Sequence, residues 1–256
     1  RVGIAVAVWS GAALLVILGG RLAPETEPVD RVSRPVRVIQ PNSPITFEQA
    51  EILENYDRLL EMSRRACDVP ALLVWPESAA WPFAWDDAPR LRRDVAELRR
   101  RGCSVLLSTP RRQGENLLNS AILTSPAGGD VRIAEYAKRR LVPWGEYVPL
   151  AELFPFIGRL ARNAGDFTPG TDVGLLPWGE ERLGTAICYE VIFPGLTAEQ
   201  VRAGATVLVT VTNDAWYGDT AAPWQHMRAA RFRAAENRRP LLRAALTGVS
   251  VIVDPR

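Results

Sequence analysis

Leu183-Gly-Thr-Ala-Ile-Cys-Tyr-Glu-Val-Ile-Phe-Pro194 is the stretch from which the fold is read. An apolar, β-prone run from Leu183 to Ile187 carries Cys188 to its end, and Tyr189, Glu190 and a Pro194-Gly195 turn follow directly. A thiol at a strand-to-loop corner is held rigidly from below and can face a cleft, as a nucleophile must. The segment alone leaves a second reading open, because a free cysteine also serves as a small buried hydrophobe.

Working outward, Val36-Arg-Val-Ile-Gln40 alternates as a strand and Ala71-Leu-Leu-Val-Trp75 is a short apolar one. Between them, Ile52, Leu53, Tyr56, Leu59, Leu60 and Met62 recur at helical spacing. Strand, helix, strand requires a crossover and a parallel pairing. A helix is expected over Pro89 to Arg101, then a strand over Cys103 to Thr109 in which Cys103 is core. Asn119 to Ser125 and Val131 to Tyr136 read as a hairpin through Gly128-Gly129-Asp130. Residues 150–180 read as a long loop with one short helix near Leu153 to Arg162. Thr206 to Thr212, the most β-branched segment, is expected at the centre of a sheet. A helix over Ala221 to Arg239 and strands at Leu241 to Ala245 and Val249 to Val253 complete the pattern.

Composition narrows the chemistry. The chain has 256 residues and 47% hydrophobic content, enough to bury a large core. Its net charge is +2 with acids interspersed among the arginines, so no nucleic-acid face is indicated. Three scattered cysteines leave at least one thiol free, and a Cys-His pair would have to depend on the single histidine, His226. His226 reads as a structural hydrogen-bonding residue, and neither a metal nor a cofactor is expected. Val2 to Gly20 is nineteen residues without a charge, which favours a transmembrane helix at 1–21 over a signal peptide. A polar, Pro-containing linker occupies 22–35. Because it opens on Arg1, the chain is expected to be a piece of something longer, with a catalytic domain over 36–256.

Three strand ends then carry Glu77, Lys138 and Cys188. A thiol of ordinary acidity needs a base, and with no histidine suitably placed a carboxylate must take its proton. Glu77 stands behind Pro76 among Trp75, Trp81 and Phe83, surroundings suited to a proton-accepting acid. An ammonium beside the sulfur favours thiolate and can hold an oxyanion. Each residue has a plainer explanation, Glu77 as a helix-start acid and Lys138 as part of a solvated basic run. Glu146, between Gly145 and Pro149, reads as fixed in a loop near Lys138, while Trp144, Trp216 and Tyr217 are candidates for lining an acyl-chain groove.

In order and context these three residues resemble the Glu-Lys-Cys triad of the nitrilase, or carbon-nitrogen hydrolase, superfamily. Four segments are similar to its apolipoprotein N-acyltransferase branch: Val74-Trp-Pro-Glu-Ser-Ala79, Lys138-Arg-Arg-Leu-Val-Pro-Trp-Gly-Glu-Tyr-Val-Pro149, Ile187-Cys-Tyr-Glu190 and Thr212-Asn-Asp-Ala-Trp-Tyr-Gly218. The resemblance implies an α/β fold, an αββα sandwich set outside a bacterial inner membrane on its periplasmic or outer face. It would lie between two spanning helices, with the end of the domain and the last helix missing here. It also implies that Cys188 accepts an acyl chain from a phospholipid and passes it to the amine of a diacylglyceryl-cysteine in a lipoprotein. Glu77 would be the base, Lys138 the oxyanion partner, Glu146 a supporting acid, and Tyr189 and Glu190 flanking positions. A monomer is expected. The alternative is a membrane-anchored amidase or nitrilase in which water resolves the thioester.

Overall fold

The computed structural model describes residues 34–125, 133–149 and 166–255. The expected membrane helix, most of the linker, the Gly128-Gly129-Asp130 turn and the short helix near Leu153 lie outside the described residues. Among the described residues no helix is long and apolar enough to cross a membrane.

Among the described residues, ten strands form two five-stranded sheets. The first runs β1 (Val36–Val38), β2 (Leu72–Val74), β3 (Ser104–Gln113), β4 (Asn116–Thr124), β5 (Ile133–Ala137) in that spatial order. The second contains β6 (Leu175–Trp178), β7 (Glu181–Ile187), β8 (Val207–Thr212), β9 (Leu241–Ala245) and β10 (Val251–Val253), ordered β10-β9-β8-β7-β6. β8 is central, as its β-branched sequence requires. Helices α1 (Gln49–Ala66) and α2 (Pro89–Arg100) serve the first sheet, α3 (Pro194–Arg202) and α4 (Ala222–Asn237) the second.

Alternation along the strands builds the layers. Leu72, Val74 and Leu106 join Leu183, Ile187, Val209 and Val211 in the core between the sheets, whereas Leu73, Val105 and Leu107 face Tyr56, Leu59, Leu91 and Leu98 of α1 and α2. On the far side, Leu208 and Leu241 meet Ala230 and Ala234 of α4. The result is helix, sheet, sheet, helix. Each fully buried leucine contributes about 1.5–3 kcal/mol of transfer free energy, which makes the strand phase a strong constraint. Tyr56 donates to Asp94 at 3.0 Å and the Arg64 guanidinium pairs with Glu97 at 2.7 Å, locking α1 to α2.

Both sheets are mixed. β1, β2 and β3 are parallel, as the crossover predicts, and β4 and β5 then add two antiparallel steps. Two reversals restore the original direction, so β5 ends on the same side as β2. Lys138 therefore emerges beside Glu77 from a strand that is antiparallel to its own neighbour.

Three expectations are corrected. β3 continues to Gln113 and returns through a Gly114-Glu115 turn into a long hairpin, because Arg111 and Arg112 find Asp86 and Asp87 in place of a core. β6 was hidden in an expected loop; its Pro177 is tolerated because β6 is an edge strand that needs no donor there. Pro194-Gly195 is not a plain turn but the start of α3, with proline in the first helical turn. Cys103 is buried in the core as expected and is in addition bonded to Cys67 in a disulfide across 36 residues.

Candidate active site

Glu77, Lys138 and Cys188 meet at one end of the sandwich. Glu77 follows β2, is 7% exposed, and accepts from Asn119 Nδ2 at 3.0 Å, from Lys138 Nζ at 3.3 Å and from the Asn213 amide at 3.1 Å. The aromatic setting expected around it is absent. Trp75 and Phe83 turn into the core against α1, Trp81 is exposed, and the carboxylate is surrounded by donors.

Lys138 is not a member of a solvated run: the residue is 1% exposed. Its amide donates to the Asn119 carbonyl and its own carbonyl accepts from the Gly170 amide, each at 2.8 Å. Gly170 is required for this approach, since a Cβ there would lie 2.5 Å from the Ala137 carbonyl oxygen. The ammonium also donates to Glu146 at 2.9 Å. Glu146 stands in a tight turn, its other oxygen accepting from the Val142 amide at 2.8 Å and its amide donating back to the Val142 carbonyl at 2.9 Å. Asn119 bridges the two acids, donating to Glu146 at 2.7 Å.

Cys188 begins a one-turn 3-10 helix immediately after β7, with φ of +52°. It is the free cysteine among the described residues. Burial and then the Glu77 carboxylate push its thiol up to about 12, while Lys138 and the Thr212 hydroxyl pull the other way. The thiol is thus protonated at rest with a carboxylate and an ammonium acting on it. Burial alone would favour a neutral Lys138; the charges of Glu77 and Glu146 outweigh it and hold the ammonium above the usual lysine range.

Glu190 is fully buried and accepts four hydrogen bonds: Ile187 amide 2.8 Å, Arg139 amide 2.7 Å, Arg140 amide 3.0 Å and Tyr136 hydroxyl 2.9 Å. It therefore ties the peptide before the sulfur to the peptides after the ammonium. Burial raises its carboxyl, and the four donors oppose the shift without cancelling it. Tyr189 packs edge-on against Phe193 at 5.1 Å. Tyr217 is half-buried against the His226 ring, its hydroxyl pushed up to about 12 by burial and then by the Asp214 and Glu77 charges. Trp144 and Trp216 are 56% and 68% exposed.

A second buried network lies behind the sulfur. Asp214 accepts from Arg243 at 2.6 Å and from Thr212 at 2.9 Å, and stands 2.9 Å from His226, whose other ring nitrogen is 3.0 Å from the Cys188 carbonyl. Sequence reasoning assigned no role to Asn119, Asp214 or Arg243. The available signal was one of polarity: Asn119 interrupts an apolar strand, and Arg243 sits inside a strand buried throughout.

This fold and the acid, ammonium and sulfur at its strand ends define a nitrilase-type αββα protein. The chain belongs to the carbon-nitrogen hydrolase family, whose profile matches residues 35–256. It is 48% identical over 215 residues to an apolipoprotein N-acyltransferase of Geobacter metallireducens, covering 81% of this chain and 40% of the relative. It is 34% identical over 233 residues to that of Brucella melitensis, covering 86% and 43%. The chain thus spans less than half the length of these two curated relatives. Among solved structures, Nit3 of Saccharomyces cerevisiae shares the fold with a TM-score of 0.62 at 18% identity, covering 86% of this chain and 82% of that one. An amidase from Nesterenkonia sp. does so with a TM-score of 0.57 at 23% identity, covering 87% and 80%.

Proposed function

We propose that this domain is the catalytic part of an N-acyltransferase that moves a fatty acyl chain from a phospholipid to the amino terminus of a diacylglyceryl-cysteine lipoprotein. The observation that carries the reading is the buried contact of Lys138 with Glu77 and Glu146 beside the one free thiol. The relatives' names supply the substrate classes. Glu77 takes the thiol proton as Cys188 Sγ attacks the ester carbonyl of the phospholipid. Lys138 stabilises the oxyanion, the C–O bond breaks, and the lysophospholipid oxygen leaves with the proton from Glu77. In the second half the lipoprotein amine attacks the thioester, the C–S bond breaks, and a proton passes from the amine through Glu77 to the thiolate. Glu146 and Asn119 hold Lys138 and Glu77 in place.

A bacterial inner-membrane location with the domain on the outer face completes the proposal. The Cys67–Cys103 disulfide supports that side, because such bonds persist in oxidising compartments. The test uses the full-length, membrane-inserted protein with labelled phospholipid. A hydroxylamine-sensitive acyl group on Cys188 that discharges onto a lipopeptide amine supports transfer. Ammonia released from small amides, with no acylation by phospholipid, assigns the site to hydrolysis instead.

A further inference from the structure

His226 is buried on α4, and each of its ring nitrogens faces an acceptor. Nε2 is 3.0 Å from the carbonyl oxygen of Cys188, and a carbonyl can only accept, so Nε2 carries a hydrogen. Nδ1 is 2.9 Å from Oδ1 of Asp214. Asp214 is held ionised by a fully buried ion pair with Arg243 Nη2 at 2.6 Å. An ionised carboxylate also only accepts, so Nδ1 carries a hydrogen as well. The other polar atom near Nδ1, Arg243 Nη2 at 3.3 Å, is engaged more closely by Asp214 at 2.6 Å.

The surrounding charges agree. The Tyr217 ring lies edge-on at 5.9 Å and its phenol is neutral. Glu190 has four donors of its own. Of the groups left, the carboxylates of Glu77, Glu146 and Asp214 face the cations Lys138 and Arg243, an excess of one negative charge that a cationic His226 neutralises. The carbonyl it grips belongs to the residue whose backbone turns left-handed to present the sulfur.

We propose that His226 is a buried imidazolium that clamps the carbonyl of Cys188 to the carboxylate of Asp214, and so acts as a positioning residue for the thiol. Only the effect on turnover rests on the acyl-transfer reading; the clamp itself does not.

Because His226 is the sole histidine of the chain, it can be read directly. The full chain, labelled with 15N-histidine and carrying a histidine-free tag, is expected to show two hydrogen-bearing ring nitrogens at neutral pH. A neutral tautomer with one bare nitrogen overturns the proposal. In parallel, alkylation of Cys188 by iodoacetamide is followed against pH in the parent and in His226→Gln, which keeps an N–H donor but no charge. The profile is expected to move to higher pH, with the rate at a fixed mildly alkaline pH falling about tenfold. An unchanged profile in a folded variant overturns the coupling to the thiol. If the variant does not fold, the 15N spectrum of the parent decides. Neither measurement involves phospholipid, so failed acyl transfer with both results intact would refute the proposed function alone.

Discussion

Glu190 accepts a hydrogen bond from the amide of Arg139 at 2.7 Å, so the acid two residues past the sulfur holds the peptide one residue past the ammonium. Strands from different sheets are joined there by one carboxyl group. Replacing it with Gln presents an N–H₂ to a ring of donors. Glu190→Gln is expected to destabilise the domain by about 2–4 kcal/mol, and Tyr136→Phe by about 1 kcal/mol, in urea unfolding. Equal stability of Glu190→Gln and parent would show that the clasp is unimportant.

Glu77→Gln separates two effects of one carboxyl. It removes the proton acceptor, so acylation of Cys188 is expected to fall by about 10²–10⁴-fold. It also removes a negative charge that raises the thiol. Simple alkylation of Cys188 is therefore expected to begin at lower pH in the variant than in the parent. Slower alkylation across the whole pH range would contradict this account.

Asp214 sets an acid limit on stability. Its folded carboxyl lies below the ordinary value, despite burial, because of His226 and Arg243. The contribution is therefore present above the unfolded carboxylate pKa, about 4, and is lost as pH falls through the lower folded value. Unfolding free energy measured over that window should drop less steeply in Asp214→Asn. An identical slope in the two proteins would place the acid sensitivity elsewhere.

The Cys67–Cys103 bond closes a loop of 36 residues that joins the end of α1 to the start of β3. Loop-closure entropy assigns it about 3–4 kcal/mol. The double variant Cys67→Ser, Cys103→Ser is expected to lose roughly that stability. Acyl transfer per folded molecule should not change, since neither sulfur touches the Glu77 cluster. A loss of specific activity without a loss of stability would reverse this assignment.

Much of this was open to a reading of residues alone. Alternation located β1, short apolar or β-branched runs located β2, β7 and β8, helical spacing located α1, and the order Glu77, Lys138, Cys188 emerged because each follows a β-prone run. Local pattern carries that information, since a strand buried on both faces must be apolar along its length and a half-buried helix must be apolar on one face. The outer half of β3 was missed because its side chains are polar or exposed, whereas β6 buries Leu176 and Trp178 but is four residues long and interrupted by Pro177, too short for a period to show.

What the chain order alone determined, then, is which residues stand at the ends of strands and what chemistry those residue types allow. Convergence was decided only in three dimensions. That Asn119 would bridge Glu77 and Glu146, that Glu190 would reach the amides beyond Lys138, and that His226 would find the Cys188 carbonyl depends on contacts spanning from 27 to 51 residues. Hydrogen-bond partners at such separations are set by how the two sheets pack, and no local sequence pattern encodes that packing.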